Sequence, residues 1–249
     1  MIRDIQQYES AYLSDYGFER VMVKYRRRLV LERLHKVRPR VVVEVGCGSE
    51  SLYGHYLEQE KPVECWLIVE PAQQFFEAAS KLELPNAHVI HGLLEESVAQ
   101  ILQQLPGAPD LVICSCLLHE VPAANALLVA VTKIMSGTSL LHINVPSATS
   151  FHRRLAKAMG LIQDLRSMSA RNQQLLQHRV YDMDVLVADL ASAGLAVTES
   201  GGYFVKPFTH AQMESVVASV GANVLDGLYQ LGKELPELAS EIYAEARLA

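Results

Sequence analysis

Four cysteines in 249 residues, at positions 47, 65, 114 and 116, are too few for a scaffold built on disulfides, which would be short and cysteine-dense. Cys114 and Cys116 stand in the apolar run "DLVICSC", where reduced cysteine behaves as a small hydrophobe, so no metal site is read from them. No apolar stretch approaches the roughly 18–20 residues of a membrane span. The opening "MIRDIQQYES" is polar, contains an acid and does not read as a signal peptide. A cytoplasmic location without a membrane partner is the expectation. The net charge of −6 removes the bulk attraction of a nucleic-acid binder, and no such partner is expected. A G-x-x-x-x-G-K-[ST] loop for a triphosphate is missing. Repeats, low-complexity segments and an interdomain linker are missing too, so residues 1–249 are read as a single domain.

What is present is an alternation. Half of the residues are hydrophobic, enough for a substantial core. Phe18, Val21, Met22, Tyr25, Leu29 and Val30 recur at helical spacing, which predicts a helix over 18–36 ended by Pro39. Short apolar runs come next at 41–45, 65–70, 88–92, 110–115 and 139–145, separated by helical patterns. Strands apolar on both faces and divided by helices predict an α/β fold, a mostly parallel sheet covered on both sides. Residues 146–182 interrupt the pattern as a partly helical insertion rich in Arg, Gln and Ser. A helix is expected over 183–194, with Asp182 as N-cap and Gly194 at its end. Strand, bend and strand are expected over 195–208, and an amphipathic helical tail over 210–248 that caps the sheet or forms a homodimer face. Residues 20–40 hold nine Lys or Arg against the single acid Glu32, either a solvated helix face or a local attraction for an anionic ligand.

The stretch "VVVEVGCGSE", residues 41–50, carries the first chemical signal. In an open parallel sheet a ligand sits at the C-terminal ends of the strands, and the first strand-to-helix turn is its usual place. Gly46 and Gly48 let the backbone turn tightly and approach a ligand. A dinucleotide fingerprint would put a third glycine at position 51, where this chain has Ser51. Glu44 and Glu50 flank the turn, and two carboxylates repel a pyrophosphate but favour a cationic cofactor.

With these residues the chain resembles the class I S-adenosylmethionine-dependent methyltransferases. The resemblance rests on Glu44-Val45-Gly46-Cys47-Gly48, on Glu70 closing the second strand, on "HVIHG" and "DLVICS" as third and fourth strands, and on "CSCLLHEV" after them. It covers about residues 38–146 and continues to about 206. It implies a Rossmann-like open sheet with an N-terminal helical lid (1–38), a cofactor-binding core (39–146), a substrate-side insertion (147–182), and the remaining sheet and tail (183–249). It implies S-adenosylmethionine as cofactor, held by Glu44, Gly46, Cys47 and Gly48, by Glu70 and Pro71 at the ribose, and by Gly92, Leu93, Cys114 and Ser115 further along. Position 93 lacks the acid such a turn usually offers to adenine, which leaves backbone amides or Glu95 for that role.

For the acceptor, the residues point to a small polar molecule. His119 stands just past the fourth strand, where a base could serve a hydroxyl. His152 and His178 read as surface or lid residues. Tyr8, Tyr12, Tyr16, Lys24, Arg153, Arg154, Arg179, Tyr181 and Lys206 lie in segments that build the acceptor pocket in this fold. Tyrosines with Arg and Lys suit a polar ring bearing a phosphate or carboxylate, and Tyr16, Lys24, Arg179 and Tyr181 are the substrate-binding candidates. The [DNS]-P-P-[YFW] motif of amino-directed DNA methyltransferases is absent, and O-directed transfer to a sugar, sugar phosphate or other small metabolite is expected. A nicotinamide-dependent oxidoreductase and a non-catalytic cofactor-binding protein stay as alternatives, the first disfavoured by Ser51 and Glu44.

Overall fold

A computed structural model describes residue 5 and residues 17–249 of the chain. The elements in order are α1 (Glu19–Val37), β1 (Val41–Val45), α2 (Leu52–Leu57), β2 (Cys65–Glu70), α3 (Gln73–Lys81), β3 (Ala87–His91) and α4 (Leu94–Gln104). They continue with β4 (Leu111–Ser115), α5 (Ala124–Ile134), β5 (Leu140–Pro146), α6 (Phe151–Ala158), α7 (Ala170–Gln174) and α8 (Met183–Ser192). The last are β6 (Leu195–Tyr203), α9 (His210–Val220), α10 (Asn223–Glu234) and β7 (Glu241–Leu248). The strands form one seven-stranded sheet in the order β3-β2-β1-β4-β5-β7-β6. β1 to β5 pair in parallel, and β7 lies antiparallel between β5 and β6. The order reverses between β1 and β4, which opens a crevice at their C-terminal ends.

Side-chain alternation divides the core into two faces. Val43, Val45, Leu67, Val69 and Val112 pack with α4, α5 and α8. Val42, Trp66, Ile68 and Ile113 pack with α1, α2 and α3. Glu44 belongs by parity to the second face, beside Trp66. A third cluster joins Met22, Tyr25 and Leu29 of α1 to Tyr203, Tyr229 and Tyr243, so α1 also lies over β6 and β7.

Several of the nine basic residues of 20–40 are held in ion pairs, while Arg20, Lys24, Arg26 and Arg27 line most of the crevice wall given by α1. Arg26 bonds Glu19 and Glu241, Arg33 bonds Glu199 and Tyr243, Arg28 reaches Asp226 at 2.8 Å, and Lys36 reaches Glu199 at 2.8 Å. Acids distant in sequence thus meet the helix only after folding, and they fasten α1 across the sheet edge.

Two local expectations change. The tail is helical to Glu234 but ends in β7, a strand paired on both sides and buried at Glu241–Ala246. "EIYAEARL" has the composition of a helix; pairing with two neighbours outweighs that propensity. β6 is one strand with a bulge between Val197 and Glu199, not two strands about a bend. Its Gly202 serves close packing, because a Cβ there would stand 2.8 Å from the Pro236 carbonyl oxygen. Asp182 and Gly194 bound α8 as expected: Asp182 accepts from the Val185 N–H at 3.0 Å, and Gly194 has φ +78°.

Candidate functional site

The turn after β1 is built from its own sequence. Gly46 and Gly48 have φ of +71° and +61°, a region that costs an L-residue with a Cβ roughly 1–2 kcal/mol. A Cβ at Gly46 would also press on Leu117 at 3.3 Å. Glu44, fully enclosed, orders the start of α2. It accepts from the Ser51 hydroxyl at 2.6 Å, the Leu52 N–H at 2.9 Å and the Trp66 indole N–H at 2.9 Å. Ser51, at the position a dinucleotide fingerprint would give to glycine, is the N-cap of α2 and accepts from the Tyr53 N–H at 3.2 Å. Burial pushes the Glu44 carboxyl above its ordinary range, and those three donors pull it back. Its bonds go to protein donors that hold the turn together.

Glu70 ends β2 beside this turn. Its carboxylate accepts from the Gly48 N–H at 3.1 Å and the Ala72 N–H at 2.8 Å, which sets its orientation. Burial pushes the Cys47 thiol upward, so it stays protonated and is no nucleophile. Glu44, Gly46, Cys47, Gly48, Glu70, Pro71 and Ser115, all sequence candidates, line a cavity of about 630 Å³, and Lys24 lines it too. That volume lies within the range of about 300–1,000 Å³ typical of small-molecule sites. A carboxylate fixed in this way is the complement of a vicinal diol, and Glu44, Glu50, Glu70 and Glu120 line the cavity together with Arg20, Lys24, Arg26 and Arg27 of α1.

Three cofactor candidates lie elsewhere. Cys114 is wholly buried in the core on the α4–α5 side. Gly92 and Leu93 line neither this cavity nor the next; the Gly92 N–H donates to the Glu70 carbonyl at 3.2 Å and Leu93 precedes α4. The strand that carries Cys114 alternates its faces, so its neighbour Ser115 reaches the cavity and Cys114 does not.

A smaller cavity of about 180 Å³ adjoins the first. Val23, Arg26, Cys116 and Glu120 line both and form the shared wall. Cys116 holds φ +55°, an uncommon conformation for a residue with a Cβ, at the end of β4. Arg26 and Glu241 form a buried ion pair in this wall, with the Arg26 Nε 2.9 Å from the Glu241 carboxylate. His119 and Arg179 both line the inner cavity, and the His119 carbonyl accepts from the Arg179 N–H at 3.3 Å. The His119 Nε2 stands 3.7 Å from the Glu120 carboxylate. Tyr181 is fully buried and lines neither cavity; its hydroxyl donates to Asp189 at 2.9 Å. Tyr8, Tyr12 and Tyr16 lie outside the described residues.

Sequence reasoning passed over Glu120, which stands on the shared wall next to His119. An acid beside the histidine of the mostly apolar "CLLHEV" was the available signal. His152, read from sequence as a surface or lid residue, lines the inner cavity with a buried Nδ1.

No model of a protein family matches the chain, and no curated protein matches it in sequence. Solved structures match in shape. The plantazolicin methyltransferase BamL, solved with SAH, is 14% identical, with 98% of this chain and 97% of that one covered and a TM-score of 0.57. An S-adenosylmethionine-dependent methyltransferase of Mesorhizobium loti is 15% identical over 87% of this chain and 96% of that one, with a TM-score of 0.55. The magnesium protoporphyrin IX methyltransferase of Synechocystis, solved with SAH, is 14% identical over 100% of this chain and 89% of that one, with a TM-score of 0.54. Strand order, the reversed β7 and these likenesses agree: the chain has the fold of the class I S-adenosylmethionine-dependent methyltransferases.

Proposed function

We propose that the chain is an S-adenosylmethionine-dependent methyltransferase acting at an oxygen of a small, polar, negatively charged acceptor. One observation carries this: the Glu70 carboxylate, oriented by two backbone N–H groups, stands beside two left-handed glycines on the wall of a cavity at the strand-order switch. In the proposed complex Glu70 accepts from the ribose hydroxyls of the cofactor. Gly46 and Gly48 let the backbone lie against its amino-acid end, and Lys24 on α1 faces the same space. Glu44 acts at one remove, by ordering the turn. When bound, the cofactor supplies an electrophilic methyl group on a sulfonium.

The chain's own residues do the rest. The wall common to both cavities is where donor and acceptor meet, and it is lined by Glu120. We assign proton acceptance from the acceptor hydroxyl to the His119–Glu120 pair, in which the imidazole Nε2 and the carboxylate lie 3.7 Å apart. Orientation of the two substrates across that wall supplies much of the acceleration. The inner cavity, with Arg171, Arg179 and Lys206, takes the acceptor. A nicotinamide is disfavoured because the buried Ser51 side chain stands where the fingerprint needs a bare backbone.

Titration calorimetry with S-adenosylhomocysteine (SAH), NAD and ATP tests the cofactor. SAH alone is expected to bind, and Glu70→Ala is expected to weaken it about thirtyfold. Binding of NAD in place of SAH would overturn the proposal. Transfer of labelled methyl groups to a panel of hydroxy acids and sugar phosphates then tests the acceptor class.

A further inference from the structure

We propose that Lys206 and His152 form a subsite for a carboxylate or phosphate group at the far end of the acceptor, an inference that rests on the methyltransferase reading. The subsite is the inner cavity, about 180 Å³ in volume. That is below the roughly 300 Å³ at which pockets enclose a whole drug-sized ligand. It therefore takes one end of a molecule whose other end reaches Glu120 at the shared wall.

Five cationic side chains line this cavity against three carboxylates. Four of the five are engaged elsewhere. Arg26 holds Glu19 and Glu241, and Arg179 holds Asp189 at 2.8 Å. Arg153 donates to the carbonyls of Leu165 and Ser167, at 2.9 and 2.6 Å, and Arg171 also has a partner. Lys206 is the exception. It is 7% exposed, and among the described residues its Nζ makes no hydrogen bond or ion pair.

A buried ammonium without a partner is costly, and a site that keeps one gains most when an anion arrives. Its environment supports this. Burial draws the Lys206 pKa down to about 8, so the group is mostly charged at neutral pH and strained by its surroundings. The carboxylates nearest in charge, Glu19 and Glu241, are already taken by Arg26.

His152 adds direction to that charge. Its Nδ1 is buried and, among the described residues, has no hydrogen-bond partner. Burial, and the charge of Lys206 after it, hold the imidazole pKa near about 3, so the ring is neutral and carries one N–H donor. An ammonium beside a neutral N–H donor suits the oxygens of one anionic group better than a neutral hydroxyl. Carboxylate and phosphate share that chemistry.

The test titrates the full-length protein with sodium benzoate and with inorganic phosphate at pH 7 and constant ionic strength. Wild type and Lys206→Gln are compared, each also titrated with SAH. At least one anion is expected to bind wild type, and Lys206→Gln to bind it about tenfold more weakly. SAH affinity is expected to be equal in the two proteins. Benzoate binding alone assigns a carboxylate acceptor, and phosphate binding alone assigns a phosphorylated one. Failure of both anions to bind wild type, or equal binding to both proteins, overturns the subsite. Failure of SAH to bind either protein overturns the cofactor reading instead. If Lys206→Gln does not fold, wild type decides: a bound anion must protect Lys206 from trinitrobenzenesulfonate at pH 8, read by peptide mass. Labelling that ignores the anion overturns the proposal.

Discussion

The two cavities share a wall and are built on opposite principles. The outer one has at its centre strand β1, its glycine turn and the end of β2, with α1 and the segment after β4 closing it. Its central carboxylates, Glu44 and Glu70, are satisfied by nearby backbone and side-chain donors. The inner one is assembled from α1, the segment after β4, the insertion around α6 and α7, and the residues after β6. It retains a lysine with no described partner. A site whose polar groups are internally satisfied is preorganised for one ligand shape. A site with a spare charge stays incomplete until its ligand supplies the opposite one. The contrast supports the proposal that the outer cavity takes the cofactor and the inner one a charged acceptor.

The strongest way to break this contrast is to remove the wall. Arg26→Ala leaves Glu241 buried without its charge partner, and about 3–5 kcal/mol of stability should be lost in urea unfolding. A loss below about 1 kcal/mol would mean that the ion pair is incidental. Glu120→Gln is expected to lower kcat about a hundredfold, with SAH affinity unchanged by calorimetry. Unchanged kcat would move proton acceptance away from the wall. Glu70→Ala should weaken SAH about thirtyfold and spare the anion binding of the inner cavity, because only the outer cavity contains Glu70. Parallel loss of both would merge the two sites into one. Gly48→Ala should cost roughly 1–2 kcal/mol, since its φ of +61° is unfavourable with a Cβ, and thermal unfolding measures it.

The smallest effect concerns pH. Lys206 binds its proton less tightly when folded, with a pKa of about 8 against an ordinary 10.5. Between those values the unfolded chain holds more protons, so stability rises with pH across the window. Urea midpoints of wild type should therefore gain on those of Lys206→Met as pH climbs from about 8 to about 10. A flat difference would mean that the lysine is paired in solution.

Much of the outer site was legible because its residues are close in sequence and their spacing matches the turn. "EVGCG" and Glu70 needed only strand ends and a tight turn to be placed. The Cys114 side chain faces the core for a local reason: a one-residue step on a strand changes the face, and the motif alone did not say which face was open. The inner site was hardly legible. Lys206 and Arg179 were picked as cationic residues in the right segments, but which of them keeps an unpaired charge depends on Asp189, Glu19 and Glu241. The final strand was misjudged because a segment rich in Ala and Glu reads as a helix until two neighbours pair with it.

The pattern of short apolar strands and intervening helices by itself determined the parallel sheet, its first turn and the acids beside that turn, because each depends on contacts within a few residues or on strand parity. Tertiary structure alone decided that β7 enters the sheet, that part of the basic face of α1 is held by distant acids, and that Glu120 stands between two cavities. Those outcomes depend on charges and surfaces brought together across as many as 215 residues, as Arg26 and Glu241 are, and no local spacing encodes such meetings.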